Sequence, residues 1–213
     1  ENPDGEKDIE YEAPYGEDEG IFIGNEVRRL LRTADLKHSD FAVMYRTNAQ
    51  SRAIEEAFIQ QGVKYRIVGG TRFYDRREVR DLIAYLRLIQ NEYDTVAFQR
   101  VVNVPGRGIG QKSTTDLLSA AADLGLSPIA AGTRAAKGDP QLPAFRANIL
   151  NALGGFVAMI DQLAADRERL TVAELLDRII AATNYHAHLE ASDREHAEAR
   201  WENVQELCSV AAQ

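Results

Sequence analysis

With 213 residues, 45% hydrophobic and 27% charged, the chain has the composition of a soluble globular protein, with room for one large domain or two small ones. It has no apolar run approaching the roughly 20 residues that span a bilayer, and its acidic start is not a signal peptide, so no membrane partner is expected. The single cysteine, Cys208, excludes an internal disulfide and points to a cytoplasmic setting; in an apolar helical stretch with no evident activating base it reads as a buried thiol.

The net charge of −8 argues against a nucleic-acid partner until its distribution is read. Residues 1–20 carry nine carboxylates against Lys7 alone, which accounts for the whole net charge. Residues 64–112 carry ten cations against five acids. Backbone binding needs a local positive footprint rather than a basic protein. A solvated, salt-bridged helix face fits the charge equally well.

In chain order, residues 1–20 read as a loose, acidic lead-in with one strand at 9–13. Residues 20–32 have helical spacing (Ile21, Phe22, Val27, Leu30, Leu31). The apolar run 41–45 reads as a buried strand. Asn48 can cap a helix running to Gln61, which Gly62 ends, and 65–68 reads as a second strand stopped by Gly69 and Gly70. Strand, helix, strand predicts a parallel α/β unit.

From Arg76 onward the pattern is helical. Val79, Leu82, Ile83 and Leu86 line a helix to about Gln90, and Asp94 caps another through Asn103. A glycine-rich loop follows, then a helix capped by Ser113 or Thr114. Residues 131–143 read as a loop. Phe145, Ile149, Leu153, Phe156, Ile160 and Leu163 keep the spacing of a long amphipathic helix. Thr171 caps the next, and a last helix covers about 193–212. The chain divides near Tyr93, with α/β before and all-α after.

Two segments could carry chemistry. In Val104-Pro105-Gly106-Arg107-Gly108-Ile109-Gly110 the proline stops one helix, and the glycines leave backbone N–H groups uncovered just before the next helix begins. That is the shape of a phosphate cradle, to which Arg107 and Lys112 would add charge and Ser113 and Thr114 the first turn of a helix. Helix-hairpin-helix modules hold a DNA backbone this way without reading sequence. A plain tight turn is the alternative. A Walker A loop is excluded because Gln111 stands between Gly110 and Lys112, and a dinucleotide fingerprint because a helix precedes the loop.

The second segment runs from Gly69 to Glu78. Arg72, Phe73, Tyr74, Arg76 and Arg77 combine charge with aromatic faces, as single-stranded nucleic acid requires. Equally, Phe73 and Tyr74 could fill a core while the arginines pair with Glu78 and Asp81. His186, His188 and His196 lack metal-site spacing, and no carboxylate pair is placed against a nucleophile, so neither a metal site nor a catalytic residue is predicted.

Several strings, in order, resemble one family. Met44-Tyr45-Arg46-Thr47-Asn48-Ala49-Gln50-Ser51-Arg52 with Glu55-Glu56-Ala57 is similar to the second motor domain of UvrD/Rep/PcrA-type superfamily 1 DNA helicases. Tyr65–Gly70, Phe73–Asp81 and Ala84–Ile89 resemble the stretch that follows there. Phe98–Pro105, Arg107–Gly110 and Arg200–Leu207 resemble that family's helical insert, domain 2B. The resemblance implies an incomplete RecA-like parallel α/β unit (part of domain 2A, residues 1–93), then a partial 2B domain (residues 94–213) with a helix-hairpin-helix-like element. It implies an ATP-driven 3′-to-5′ translocase unwinding DNA in repair and replication. Arg107–Gly110 would contact duplex phosphates, and Phe73–Arg77 would lie near the single-strand path. The Walker A lysine, Asp-Glu pair and arginine fingers that would hold ATP and Mg have no counterpart in these strings, so no cofactor site is expected within the chain. The first motor domain is expected before Glu1 and the rest of 2B after Gln213. A reading of another class remains open: a protein–protein module regulating a helicase or repair complex, using the amphipathic helices at 142–167 and 193–212 and an acidic lead-in that could steer a basic partner.

Overall fold

The computed structural model describes residues 10–68 and 70–212. Their regular structure is helical, and no strand occurs among them. They form two compact units, one up to Phe73 and one from Tyr74 onward.

The first unit pairs α1 (Gly16–Thr33) with α2 (Ser51–Gln61). Acidic Glu17, Asp18 and Glu19 at the start of α1 and Arg32 at its end match the helix dipole. The two helices approach closely because glycines face the contact: a β-carbon on Gly20 would lie 2.6 Å from the Ala53 carbonyl oxygen. Before α2, Gln50 Oε1 accepts from Thr47 N at 3.0 Å in a single 3-10 turn over Asn48–Gln50. Gly62, at φ 68°, ends α2 in the left-handed conformation the sequence predicts. Val27, Phe58 and Val63 form the core, with Ile23, Leu31 and Ile54 around them.

The predicted α/β unit does not form: the described residues hold no strand. Residues 41–45 and 65–68 are irregular, not strands, and Val68 lies in a bend. Their apolar periodicity does place side chains, since Phe41, Val43 and Tyr65 pack on the core while Met44 and Val68 are exposed. A strand also needs a ladder of backbone hydrogen bonds to a neighbour. These two segments instead line one cavity of about 620 Å³. Of the strand predicted at 9–13, Ile9 lies outside the described residues and 10–13 are irregular; Tyr11 stacks face to face on Phe22, centroids 3.9 Å apart.

The second unit holds α3 (Arg77–Gln90), α4 (Thr95–Val101), α5 (Gln111–Asp123), α6 (Pro128–Ala136), α7 (Ala147–Asp166), α8 (Val172–Thr183), α9 (Tyr185–Ser192) and α10 (Ala197–Ala211). Helix α3 packs on α4, α7, α8 and α10, burying Val79, Leu82, Tyr85, Leu88 and Ile89. The change of residue pattern near Tyr93 thus falls inside this unit. The loop predicted over 131–143 is partly helix. Ser127 Oγ accepts from Ala130 N at 3.0 Å and Pro128 opens the first turn, so α6 forms and ends before Gly138, at φ 77°. Asn184, at φ 49°, breaks the chain between α8 and α9, which the sequence reading did not separate. Helix α7 is long and apolar enough to cross a membrane by length and mean hydropathy (1.2), but Leu153, Phe156, Val157, Ile160 and Leu163 are buried in the unit's core.

A buried polar network ties α3 to the C-terminal helices. Arg76 donates to Asn203 Oδ1 at 2.6 Å, and Asn203 Nδ2 donates to Glu78 Oε1 at 2.7 Å. Tyr185 donates its hydroxyl to Asp81 Oδ2 at 2.9 Å, and Arg100 Nε lies 2.8 Å from Asp81 Oδ1. Burial pushes the Asp81 carboxyl up, against the pull of Tyr185 and Arg100. Arg76, Glu78, Asp81, Tyr185 and Asn203 each gain a hydrogen-bond partner, as burial of polar atoms demands, whereas the buried Arg100 Nε meets Asp81 as an ion pair outside hydrogen-bond geometry.

Candidate nucleic-acid interface

The glycine loop joins α4 to α5. Asp94 Oδ1 accepts from Ala97 N at 2.8 Å and caps α4; that bond, with Arg87 beside it, holds the Asp94 carboxyl below the usual range. Helix α4 ends at Val101, and a cis Val104–Pro105 peptide leads into the loop. Helix α5 begins at Gln111, with Gly110 in the capping position and no side chain capping it, in place of the predicted Ser113 or Thr114. Thr114 is buried and donates its hydroxyl to Gly110 O at 3.2 Å.

Asn103, Gly106, Gly108, Gly110, Gln111 and Lys112 are exposed, whereas Ile109 is buried at 2% exposure and anchors the loop. Among the described residues, the backbone N–H groups of Gly108, Gly110, Gln111, Lys112 and Ser113 have no acceptor within the protein. An uncapped helix start carries partial positive charge on such groups.

Arg107 behaves differently from the sequence expectation. Its guanidinium turns inward: Nη1 donates to the carbonyls of Val101, Val102 and Pro105 at 3.1, 3.3 and 3.2 Å, and Nη2 to the Tyr85 hydroxyl at 2.9 Å. It also sits 5.1 Å from the Phe156 ring centroid. The two Nη1 hydrogens are shared among three carbonyls and one Nη2 hydrogen goes to the phenol, so three of the five arginine donors are engaged within the protein. Burial pushes the Tyr85 hydroxyl up, opposed by the adjacent Arg107 charge. Asn103 went unremarked at the sequence level. Its Oδ1 accepts from Arg107 N at 2.7 Å and Ile109 N at 3.1 Å. Its signal was an amide side chain just after a helix end and four residues before Arg107.

The second predicted stretch straddles the division between the units. Phe73 is buried at 1% exposure, its N–H directed at Glu55 Oε1 at 3.3 Å, and Arg72 lies over the Tyr65 ring at 5.8 Å. In the other unit Arg76 is buried on Asn203, while Tyr74 and Arg77 are exposed. Of the core alternative, Phe73 is buried as expected but Tyr74 is exposed, and Arg76 is buried against Asn203. Asn203 donates to Glu78 and Arg100 pairs with Asp81.

The whole chain, residues 1–213, matches the family described as the UvrD-like helicase C-terminal domain. The chain belongs to that family. It is 40% identical over 210 residues to the ATP-dependent DNA helicase PcrA of Bacillus subtilis, covering 99% of this chain and 28% of the relative. It is 38% identical over 209 residues to the ATP-dependent DNA helicase UvrD1 of Mycobacterium tuberculosis, covering 97% of this chain and 26% of the relative. PcrA of Staphylococcus aureus is 34% identical over 209 residues, covering 98% of this chain and 28% of the relative. The chain therefore spans 26 to 28% of the length of these relatives. As a UvrD-like C-terminal segment it aligns almost end to end within a longer polypeptide in each case.

Proposed function

We propose that these residues are a DNA-engaging part of an ATP-dependent 3′-to-5′ DNA helicase, gripping the duplex backbone through the loop at 106–113. The observation that carries this reading is the run of unfilled backbone N–H groups across the loop and the first turn of α5, beside exposed Lys112. Backbone donors with one mobile cation suit a phosphate and read no bases. In this reading Arg107 supports the loop from inside, and Gly108, Gly110, Lys112 and Ser113 make the contact. Thr114 and Ile109 act through the loop's shape. The α4–loop–α5 element serves as a helix-hairpin-helix-like grip.

The family supports placing residues before Tyr93 with a RecA-like motor domain and those after it with the helical 2B insert. The loop is not a nucleotide cradle in this reading, because Gly110-Gln111-Lys112 lacks the Walker A order. No step through nucleotide is assigned to them. Single-strand contact at 72–77 has less support, because Phe73 and Arg76 are buried. A protein-docking role for α7 has less support too: its exposed positions include Asn148, Asn151, Gly155, Ala158 and Gln162, none large and apolar.

Gly110→Asp tests the loop directly. Gly110 has an ordinary φ of −75°, and a β-carbon there meets nothing within 4 Å. An aspartate at this position caps α5, which holds or raises stability, yet it fills the N–H groups and repels phosphate. The expected result is at least about a tenfold loss of duplex affinity at low salt with an unchanged or higher urea midpoint. Parent-like binding by Gly110→Asp would remove the loop from the interface.

A further inference from the structure

The loop's shape is set by two side chains that bond its own backbone. Asn103 Oδ1 uses both lone pairs on the backbone, taking Arg107 N at 2.7 Å and Ile109 N at 3.1 Å. Two backbone donors on one atom also fix which end of the amide is oxygen. Between them, Gly108 reverses the chain at φ 78°, a conformation that a β-carbon would strain. Alternate N–H groups are thereby consumed at 107 and 109 and left over at 108 and 110. The Arg107 guanidinium closes the back of the loop by binding the Val101 and Val102 carbonyls at the end of α4, the Pro105 carbonyl and the Tyr85 hydroxyl, with Phe156 beneath it. A planar fork can serve several carbonyls at once; a lysine ammonium, with one charge centre and three donors, cannot hold the same set.

We propose that Asn103 and Arg107 are positioning residues for duplex contact: Asn103 brackets alternate amides of the loop and Arg107 pins it to α4 and Tyr85, so that Gly108 and Gly110 present their N–H groups to one phosphate track. The proposal rests on the loop reading given under Proposed function, and it adds that a neutral side chain touching no DNA governs affinity.

The test uses the 213-residue chain, amide hydrogen exchange by NMR, and a short labelled duplex titrated at several salt concentrations. In Asn103→Ala the Arg107 and Ile109 amides exchange faster and duplex affinity falls about tenfold, while the urea midpoint drops only by the modest amount that two exposed or part-buried hydrogen bonds contribute. The salt dependence keeps its slope, because no cation is removed; Lys112→Ala, by contrast, lowers that slope by about one. Asn103→Asp keeps both acceptors and restores protection of the two amides. Arg107→Lys keeps the charge, loses the fork and weakens binding. If Gly110→Asp loses binding while Asn103→Ala and Arg107→Lys keep it, the positioning role is overturned and the loop reading stands. Unchanged exchange at Arg107 and Ile109 in Asn103→Ala also overturns the bracket. If Gly110→Asp keeps binding, the loop reading fails and this inference fails with it.

Discussion

Arg107 shows how far a residue's role depends on what lies behind it. The cation in a glycine loop reads as a phosphate ligand, yet its Nη1 and Nη2 atoms bond three carbonyls and a phenol. Arg107→Ala would strip those acceptors of their partner and should lower stability by about 2–3 kcal/mol, the range for hydrogen bonds to a charged group, in urea denaturation. Unchanged stability with lost duplex binding would return Arg107 to the DNA face. The turn itself was legible, because proline, glycine and helix starts obey local rules. The direction of the arginine was not, because it is decided by Tyr85 and Phe156, far away in sequence. His188 gives a second prediction at this scale. Burial first, and then the Arg77 charge, hold its pKa below the ordinary 6.5, against the opposing pull of Asp81, with Arg107 and Arg200 adding smaller downward pushes. The folded state therefore resists a proton that the unfolded state takes up. Stability is unaffected at high pH and declines as pH falls below about 6.5 toward the folded pKa. Urea midpoints between about pH 7.5 and 5.5 should fall less steeply in His188→Gln than in the parent; parallel curves would clear His188 of the effect.

At the scale of elements, Gly132 in α6 sets two effects against each other. Glycine within a helix costs about 1 kcal/mol relative to alanine, so Gly132→Ala should stabilise α6 taken alone. A β-carbon there would lie 2.8 Å from Val157 Cγ1 on α7, inside any real contact distance. Overpacking of a tight core costs about 1–3 kcal/mol, so packing should win and the substitution should destabilise. The double variant Gly132→Ala with Val157→Ala should then be more stable than the sum of the single effects implies. Additive effects would show that the helices part without strain. Gly132 lies in the stretch read as a loop, where glycine, proline and lysine outweighed Ser127 and Pro128, a serine cap followed by a first-turn proline. Helices with strong periodicity, such as α3 and α7, and caps such as Asp94 and Thr171 were legible throughout. The strands were not, because alternation in 41–45 and 65–68 specifies which side chains point inward but not whether a neighbouring backbone is there to pair.

For the whole molecule, the unequal cores of the two units predict how the chain unfolds. Among the described residues, the largest fully buried side chains all lie in the second unit except Phe73. The first unit relies on α1 against α2 and a small core of Val27, Phe58 and Val63, with Met44 and Val68 exposed in its irregular segments. Stabilisation by apolar burial scales at roughly 25 cal/mol per Å², so the smaller core gives the less stable unit, and a chain with two cores need not unfold in one step. The one tryptophan separates the two events. Trp201 lies on α10 in the second unit, half-buried, its ring edge against His186 at 4.5 Å. In a urea titration, far-UV circular dichroism sees helices of both units, whereas tryptophan fluorescence sees only the second. The dichroism signal should begin to fall at lower urea, as α1 and α2 melt, and the fluorescence transition should follow alone. Coincident transitions would mean that the units stand or fall together. Duplex binding followed across the same titration should track the fluorescence, since the loop between α4 and α5 belongs to the later-melting unit. Binding lost with the first phase would show that the grip depends on the first unit as well.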